Sequence, residues 1–475
     1  MDCKGKYYSA LATTLSLEAN YALSLPFHII LGIVQFMQLL SFQFNDRINL
    51  YSDSPSLLNY LGEVTEYVQI TPYIKGIDYD SYLMIFYSEV TFVFLTLLCF
   101  IYIFCKSSSR RYPSSAPIHF VKFFGLLFYT VLFLPFNQHF LSVSCLTDDQ
   151  EISFEVLFPD QKCFSDTEMW HNYMGIFMLV FFNAFAMLIC LSIFDYRPSS
   201  NDPAARSHSS AYIWLMAYQF TLLFLDAFLE FEYMEMVIVG VILVGSISIL
   251  REFYFNSPLY NRVLAKEWSA LTLANLMGAI ILALNSIVGK EEFDDDMDAI
   301  WFVGVFYFTA LVAFHKDLRL ARAYMVICHP LYESIQNKIH CVPKRILAVC
   351  QAKEFAEKYL LLYLNVLSKE RIVNMMRNDA SLDESEAILI ELVRKLLLDS
   401  ANLYPNRHSL KIALALYLIE KSQDKQEAYS ILHRLQQENL SYSEEVMVQT
   451  SKLLIEEEFL EDSPNLRVGG QILLP

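Results

Sequence analysis

Eight polar or ionisable side chains fall inside otherwise apolar stretches of the sequence: His28, Glu89, His139, Asn183, Gln219, Asp226, Asn275 and Asn285. Hydrocarbon makes such groups costly, so each needs a partner or a purpose. Asp226 follows Gln219 by seven residues, which places both on one helical face. Glu89 lies within its own apolar stretch and could face that pair. Two carboxylates so arranged could share a proton or bind a cation, as in transporters. The plainer reading is that each group hydrogen-bonds a neighbouring helix or reaches the interface. Glu89 is about a third of the way into its segment and Asp226 is close to the outer end of its own, so the plainer reading is preferred. His28, just after Pro26, reads as a packing or hydrogen-bonding residue.

Other chemistry is missing from the sequence. There is no G-x-S-x-G, H-E-x-x-H or Walker sequence. There is no TVGYG-like filter, no evenly spaced run of arginines and no internal inverted repeat. The acidic run at 291–298 lacks the alternating oxygen ligands and the glycine of an EF-hand, and reads as a solvated loop. No catalytic residue, cofactor or metal is therefore expected. Only 13 of 475 residues are Gly, which argues against nucleotide-binding loops, and a net charge of −17 argues against nucleic acid as a partner.

The elements that must hold these groups are membrane spans. Apolar residues make up 55% of the chain and charged ones 18%, a shift away from average soluble composition. Eight stretches have a suitable length and apolarity to cross a bilayer: 22–44, 82–105, 118–140, 172–195, 210–229, 233–250, 267–288 and 299–315. The fifth and eighth are the weakest. With the N-terminus inside, the inner segments hold 13 Lys and Arg: residues 4, 6, 106, 110, 111, 197, 206, 251, 262, 266, 316, 319 and 322. The outer segments hold 4, at residues 47, 75, 162 and 290. That bias orients the chain with both termini cytoplasmic. The expected organisation is a multi-span domain over 1–315 and a cytosolic helical region over 316–475. The lipid bilayer is the first partner, and the plasma membrane is expected in preference to an internal one.

Nine cysteines show no metal-binding spacing. Cys145 and Cys163 share one expected outer loop, on the oxidising side, where a disulfide is permitted. Cys99 and Cys190 read as packing residues within spans. Cys105, beside a basic turn, reads as a buried thiol, with S-acylation as the other option.

Four stretches taken together carry a resemblance: LPFNQHFLSVSC (134–145), CFSDTEMWH (163–171), FDYRPSSNDPAARSHSS (194–210) and SPLYNRVLA (257–265). The chain resembles, over about residues 20–460, the polytopic membrane proteins related to tiny-macrocyst proteins B and C of ciliates and slime moulds. The resemblance implies a multi-span N-terminal region followed by cytosolic tetratricopeptide-like helices. It also implies two cysteines in the outer loop that holds Cys145 and Cys163. Many members continue into PAS-type sensory modules. The resemblance informs architecture more than mechanism.

Residues 316–475 carry 20 basic and 22 acidic side chains and apolar residues at helical spacing. Stretches 353–376, 383–404, 408–422 and 424–439 read as helices. Ile412 and Leu416 share one helical face, as do Ala428 and Leu432, so the last two helices are expected to pack with Ala428 at the small position. The spacing between helix pairs approaches the roughly 34 residues of tetratricopeptide repeats, without the early Trp and Gly. A repeat of this kind would bind a cytosolic protein or peptide through residues 383–460. The fold class expected overall is all-α: a membrane bundle of about eight spans and then a degenerate helical repeat. The function expected is a non-enzymatic membrane anchor or sensor that binds partners through its cytosolic helices. A channel or transporter using the polar span residues His28, Glu89, Asp226 and Asn275 is the second reading. The sequence leaves room for a homo-oligomer.

Overall fold

The computed structural model describes residues 23–43, 65, 77–108, 115–145, 158, 163–165, 169–192, 194–196, 202–206, 208–228, 234–255, 259, 261–288, 394, 397–398, 401–402, 405, 408–419 and 424–462. Among these the chain is helical, and the only extended pairing is an isolated antiparallel bridge between Arg206 and Leu259. The helices up to residue 288 are α1 (Leu25–Ser41), α2 (Tyr79–Ser108), α3 (Ser115–Phe128), α4 (Phe133–Val143), α5 (Met169–Ser192), α6 (Ser210–Phe228), α7 (Met234–Leu250) and α8 (Arg262–Val288). A π-helical turn, Arg251–Phe255, extends α7. Three further helices follow: α9 (His408–Tyr417), α10 (Lys425–Leu435) and α11 (Tyr442–Asp462).

Among the described residues, four helices are long and apolar enough to cross a membrane: Tyr79–Lys106, Met169–Ser192, Met236–Tyr254 and Val263–Leu284. The bent pair α3–α4 makes a fifth if it counts as one span. Helix α1, at 17 residues, and the apolar part of α6, Ser210–Leu225, are shorter. At 1.5 Å per residue, α1 is about 26 Å long, somewhat less than a hydrocarbon core of about 30 Å. The expected eighth span, 299–315, and the boundary at 315/316 lie outside the described residues.

The third expected span, 118–140, is not one straight helix. It breaks at Tyr129–Leu132 and turns by 74°. The cause is Pro135, which has no N–H for the carbonyl four residues earlier and whose ring crowds it. That carbonyl, on Val131, instead accepts a hydrogen bond from Nε2 of Gln38 at 2.7 Å. Both pieces line the same helix, α5. Gly125 in α3 lies against Ile189 near the end of α5, and Ser144 just beyond α4 lies against Gly175 near the start of α5. Fourteen residues of α5 separate those contacts, about 21 Å, so the broken pair runs antiparallel along α5. The approach at Gly175 is close: a Cβ there would sit 2.8 Å from the Ser144 nitrogen.

Helix starts follow from local chemistry. Pro26 occupies the first turn of α1, where its missing N–H costs nothing. Asp78 precedes α2 and accepts from the backbone N–H and the hydroxyl of Ser81, which hold its carboxyl below the usual range. The abundant phenylalanines fill the interior. Phe182 of α5 packs against Phe128, Phe136 and Phe140 with ring centroids 5.5–5.7 Å apart, tying both halves of the broken span to α5. Met84, Leu98, Val180, Trp214 and Val244 point outward. Such a perimeter suits lipid; in water it would be an aggregation surface.

Helices α9 and α10 are antiparallel, because His408 and Lys411 at the start of α9 meet Glu438 just past the end of α10, at 3.0 and 2.7 Å. Asp424 caps α10 by accepting from the Glu427 N–H at 3.1 Å. Ile412, Leu416, Ala428 and Leu432 are all buried. Helix α11 packs on both α9 and α10.

Candidate functional site

Glu89 pairs with His139. Its Oε2 lies 2.9 Å from Nδ1 of His139, and both side chains are buried. Ten residues separate Glu89 from the start of α2, about 15 Å of rise, so the pair sits deep in the bundle. The break before α4 turns that helix so that His139 meets α2. Phe86 and Tyr82, one and two turns before Glu89, stand edge-on to the imidazole at 5.9 and 4.7 Å. Tyr82 also donates to the Ser142 hydroxyl at 2.8 Å. The imidazole Nε2 is buried without a hydrogen-bond partner.

Asn275 belongs to another set. Its carbonyl oxygens, main-chain and side-chain, accept from Nε2 of Gln43 at 2.9 and 2.8 Å, and its own Nδ2 donates to Ser246 at 2.7 Å. Tyr218 completes the set at 3.4 Å from the Ser246 hydroxyl. Four elements, α6, α7, α8 and the end of α1, are joined there. His28 is in a third place, with Nε2 3.7 Å from the Asp202 carboxylate in the loop before α6. Asp226 lies in the last turn of α6, and its side chain is outside the described residues. The four polar candidates thus do not share one described set of partners.

At the other end of α5, Cys145 and Cys163 form a disulfide with Cα atoms 5.8 Å apart. Asn172 holds this loop. Its amide donates to the Val143 carbonyl at 2.9 Å and to the Cys145 sulfur at 3.2 Å, while its oxygen accepts from the Phe164 N–H at 2.8 Å. Cys190 is buried, as expected, whereas Cys105 is exposed. The expectation of a buried thiol at Cys105 fails: the side chain lies exposed on α2.

The most elaborate arrangement lies where the loops after α5 and α7 meet. Arg206 is almost completely buried. Its guanidinium carbon lies 4.5 Å from the Tyr212 ring centre, 5.1 Å from Phe194 and 5.2 Å from Tyr129. Its nitrogens donate to the Cys190 carbonyl at 3.1 Å and to the Ser209 hydroxyl at 3.2 Å. Its backbone N–H bonds the Asp195 carbonyl at 2.8 Å. Three aromatic faces and the fork of donors make this a staple for the loop 194–209. Nearby, burial holds the His208 imidazole below its ordinary value, against the opposing pull of Glu252.

That stapled loop presents Tyr196 to the C-terminal helices. The Tyr196 hydroxyl lies 2.9 Å from the Thr450 hydroxyl and accepts from Ser451 at 2.9 Å. Ser192, at the end of α5, meets the Tyr442 hydroxyl at 3.0 Å. Helix α11 therefore sits on the same end of the bundle as the loop 194–209. Neither Arg206 nor Tyr196 stands out in the sequence as a candidate. The only signal was a basic residue between aromatic-rich helices, which hydropathy alone reads as a topology marker. No family model, no curated protein and no solved structure matches the chain.

Proposed function

We propose that the chain is a multi-pass membrane protein whose bundle holds a cytosolic helical platform, residues 408–462, in a fixed pose for a protein or peptide partner. The observation that carries this reading is the seat of α11 on Tyr196 and Ser192, with Tyr196 itself stapled through Arg206. A flexible tether would need none of these buried polar contacts. The side of the bundle that seats α11 includes Arg206, Arg251, Arg262 and Lys266, and basic loops mark the cytoplasmic side. Under this reading the spans number about eight, both termini are cytoplasmic, and the disulfide loop is exoplasmic. The plasma membrane is the proposed location. The resemblance to the tiny-macrocyst B and C relatives agrees with tetratricopeptide-like packing of α9 and α10 around Ala428.

The separate partner sets of Glu89 and Asn275 favour the platform over a transport path through both. A transporter remains the second reading, favoured by the Pro135 break beside the buried Glu89–His139 pair, since broken helices recur at transport sites. One experiment separates them. Tagged full-length chain and a variant lacking 408–462 are purified from membranes, and each is also reconstituted into liposomes. The platform reading expects both to insert, a co-purifying protein to be lost with the deletion, and no solute or ion flux. Identical co-purifying proteins, or a flux abolished by Glu89→Gln, overturn it.

A further inference from the structure

Helix α1 buries a polar line that none of the sets above uses. Glu267, in the second turn of α8, faces α1 at Gly32: a Cβ on Gly32 would lie 2.8 Å from Oε1 of Glu267. Both carboxylate oxygens are buried and have no hydrogen-bond partner. Gln35 is fully buried, and neither its amide nitrogen nor its oxygen is bonded. Buried polar groups are almost always paired with protein, water or an ion, so orphans of this kind mark something that binds there.

Helix geometry shows that the two orphans adjoin. Gly32 points at α8, and Gln38 points at Val131 in the break between α3 and α4. At 3.6 residues per turn, Gln35 lies midway around α1 between those directions, about 60° from each, and about 4.5 Å further along than Gly32. The contacts Gly32–Glu267 and Gln43–Asn275 show α1 and α8 running in the same direction. Gln35 is thus one turn deeper than Glu267, in the wedge formed by α1, α8 and the helix break.

We propose that this wedge is a binding site for a single monovalent alkali cation, held by the Glu267 carboxylate and the Gln35 amide oxygen with water completing the shell. An unpaired carboxylate is not stable in an apolar interior and is neutralised by a proton or a bound cation; the second orphaned oxygen, on Gln35, favours the cation. A divalent ion would call for more anionic ligands, and no group of three His, Cys, Asp or Glu placed to hold a metal occurs among the described residues. Arg206 does not serve as the counter-charge: its donors go to Cys190, Ser209 and Tyr129, and Tyr212 packs both on its guanidinium and against Trp268, the neighbour of Glu267. Gly32 leaves the space that the carboxylate needs. The site stands independently of the platform reading, since no residue of 408–462 takes part.

The test is equilibrium binding of radioactive sodium, and separately of rubidium, to the purified full-length protein in lipid nanodiscs. The expected result is saturable binding of one of these ions, one per chain. Glu267→Gln, a near-isosteric change, should weaken it by about tenfold or more, equivalent to roughly 1.4 kcal/mol. Gly32→Ala, which removes no ligand but places a methyl against Oε1, should weaken it as well, while Glu89→Gln should leave it unchanged. Unaltered size-exclusion profiles show that the variants are folded. Absence of saturable sodium and rubidium binding in the unmodified protein, or binding that survives Glu267→Gln, overturns the proposal.

Discussion

The Tyr196 hydroxyl sits 2.9 Å from the Thr450 hydroxyl, joining positions 254 residues apart in the chain. Tyr196 belongs to the loop after α5, and Thr450 to α11. Both side chains are buried, so the bond is sheltered from competing water. The energetic weight of one such bond is modest, about 0.5–1.5 kcal/mol. Its structural meaning is larger, because the loop is fixed at its other end by Arg206.

Replacing Arg206 by Lys should loosen that loop. An ammonium keeps the charge but loses the planar fork and its stacking on three rings. A hydrogen bond from a charged donor is worth about 1.5–3 kcal/mol, so a loss of about 2 kcal/mol is expected in thermal unfolding of the detergent-solubilised protein. A melting curve unchanged by Arg206→Lys would show that the cage is not a staple.

The Cys145–Cys163 bridge closes a loop with 17 intervening residues. The chain-entropy relation gives roughly 3 kcal/mol for a loop of that size. A non-reducing peptide map should recover the two cysteines on one linked pair of fragments. Cys145→Ser should release Cys163 to a membrane-impermeant maleimide added to intact cells. Labelling of both cysteines in the unmodified, unreduced protein would contradict the bridge.

Glu89 and His139 should behave as a unit. Removing one member of a buried pair leaves the other uncompensated, at a cost of about 3–5 kcal/mol. His139→Leu alone is expected to destabilise by that order. Glu89→Leu combined with His139→Leu should recover most of the loss, because an apolar pair of similar volume needs no partner. Additive losses in the double variant would indicate that the two side chains act separately.

Ala428 is fully buried against α9. Ala428→Leu would overpack that contact, with an expected loss of about 1–3 kcal/mol in the unfolding of the C-terminal helices. Lys425, on the same helix, provides a control: Lys425→Ala should change little.

What was legible in the sequence depended on whether the signal was local. Apolar runs disclose α2, α5, α7 and α8, and helical spacing discloses the face shared by Ile412, Leu416, Ala428 and Leu432. The cysteine pair was readable because two cysteines in one loop between apolar runs have few other options. The break in the third span was also written locally, in Pro135, but a hydropathy window averages over a single proline. Glu89 and His139 were each visible as polar groups in apolar stretches, while their pairing was not, because only the turn at Tyr129–Leu132 carries His139 to α2. Gln35 and Glu267 are inconspicuous as single residues. Their meaning arises from a contact between helices more than two hundred residues apart. Tyr196 with Thr450 is the extreme case, since tyrosine and threonine hydroxyls pair in ways that no local pattern announces.

The seat of α11 on the bundle is tested most directly by hydrogen exchange of residues 442–455 in the full-length protein in nanodiscs, compared with Tyr196→Phe. That variant removes one oxygen and both of its bonds to α11. At about 0.5–1.5 kcal/mol for each bond, exchange in this segment should rise by roughly 5- to 150-fold, while α9 is unchanged. A segment that exchanges freely in the unmodified protein, or protection that is identical in Tyr196→Phe, would contradict a platform fixed to the membrane bundle.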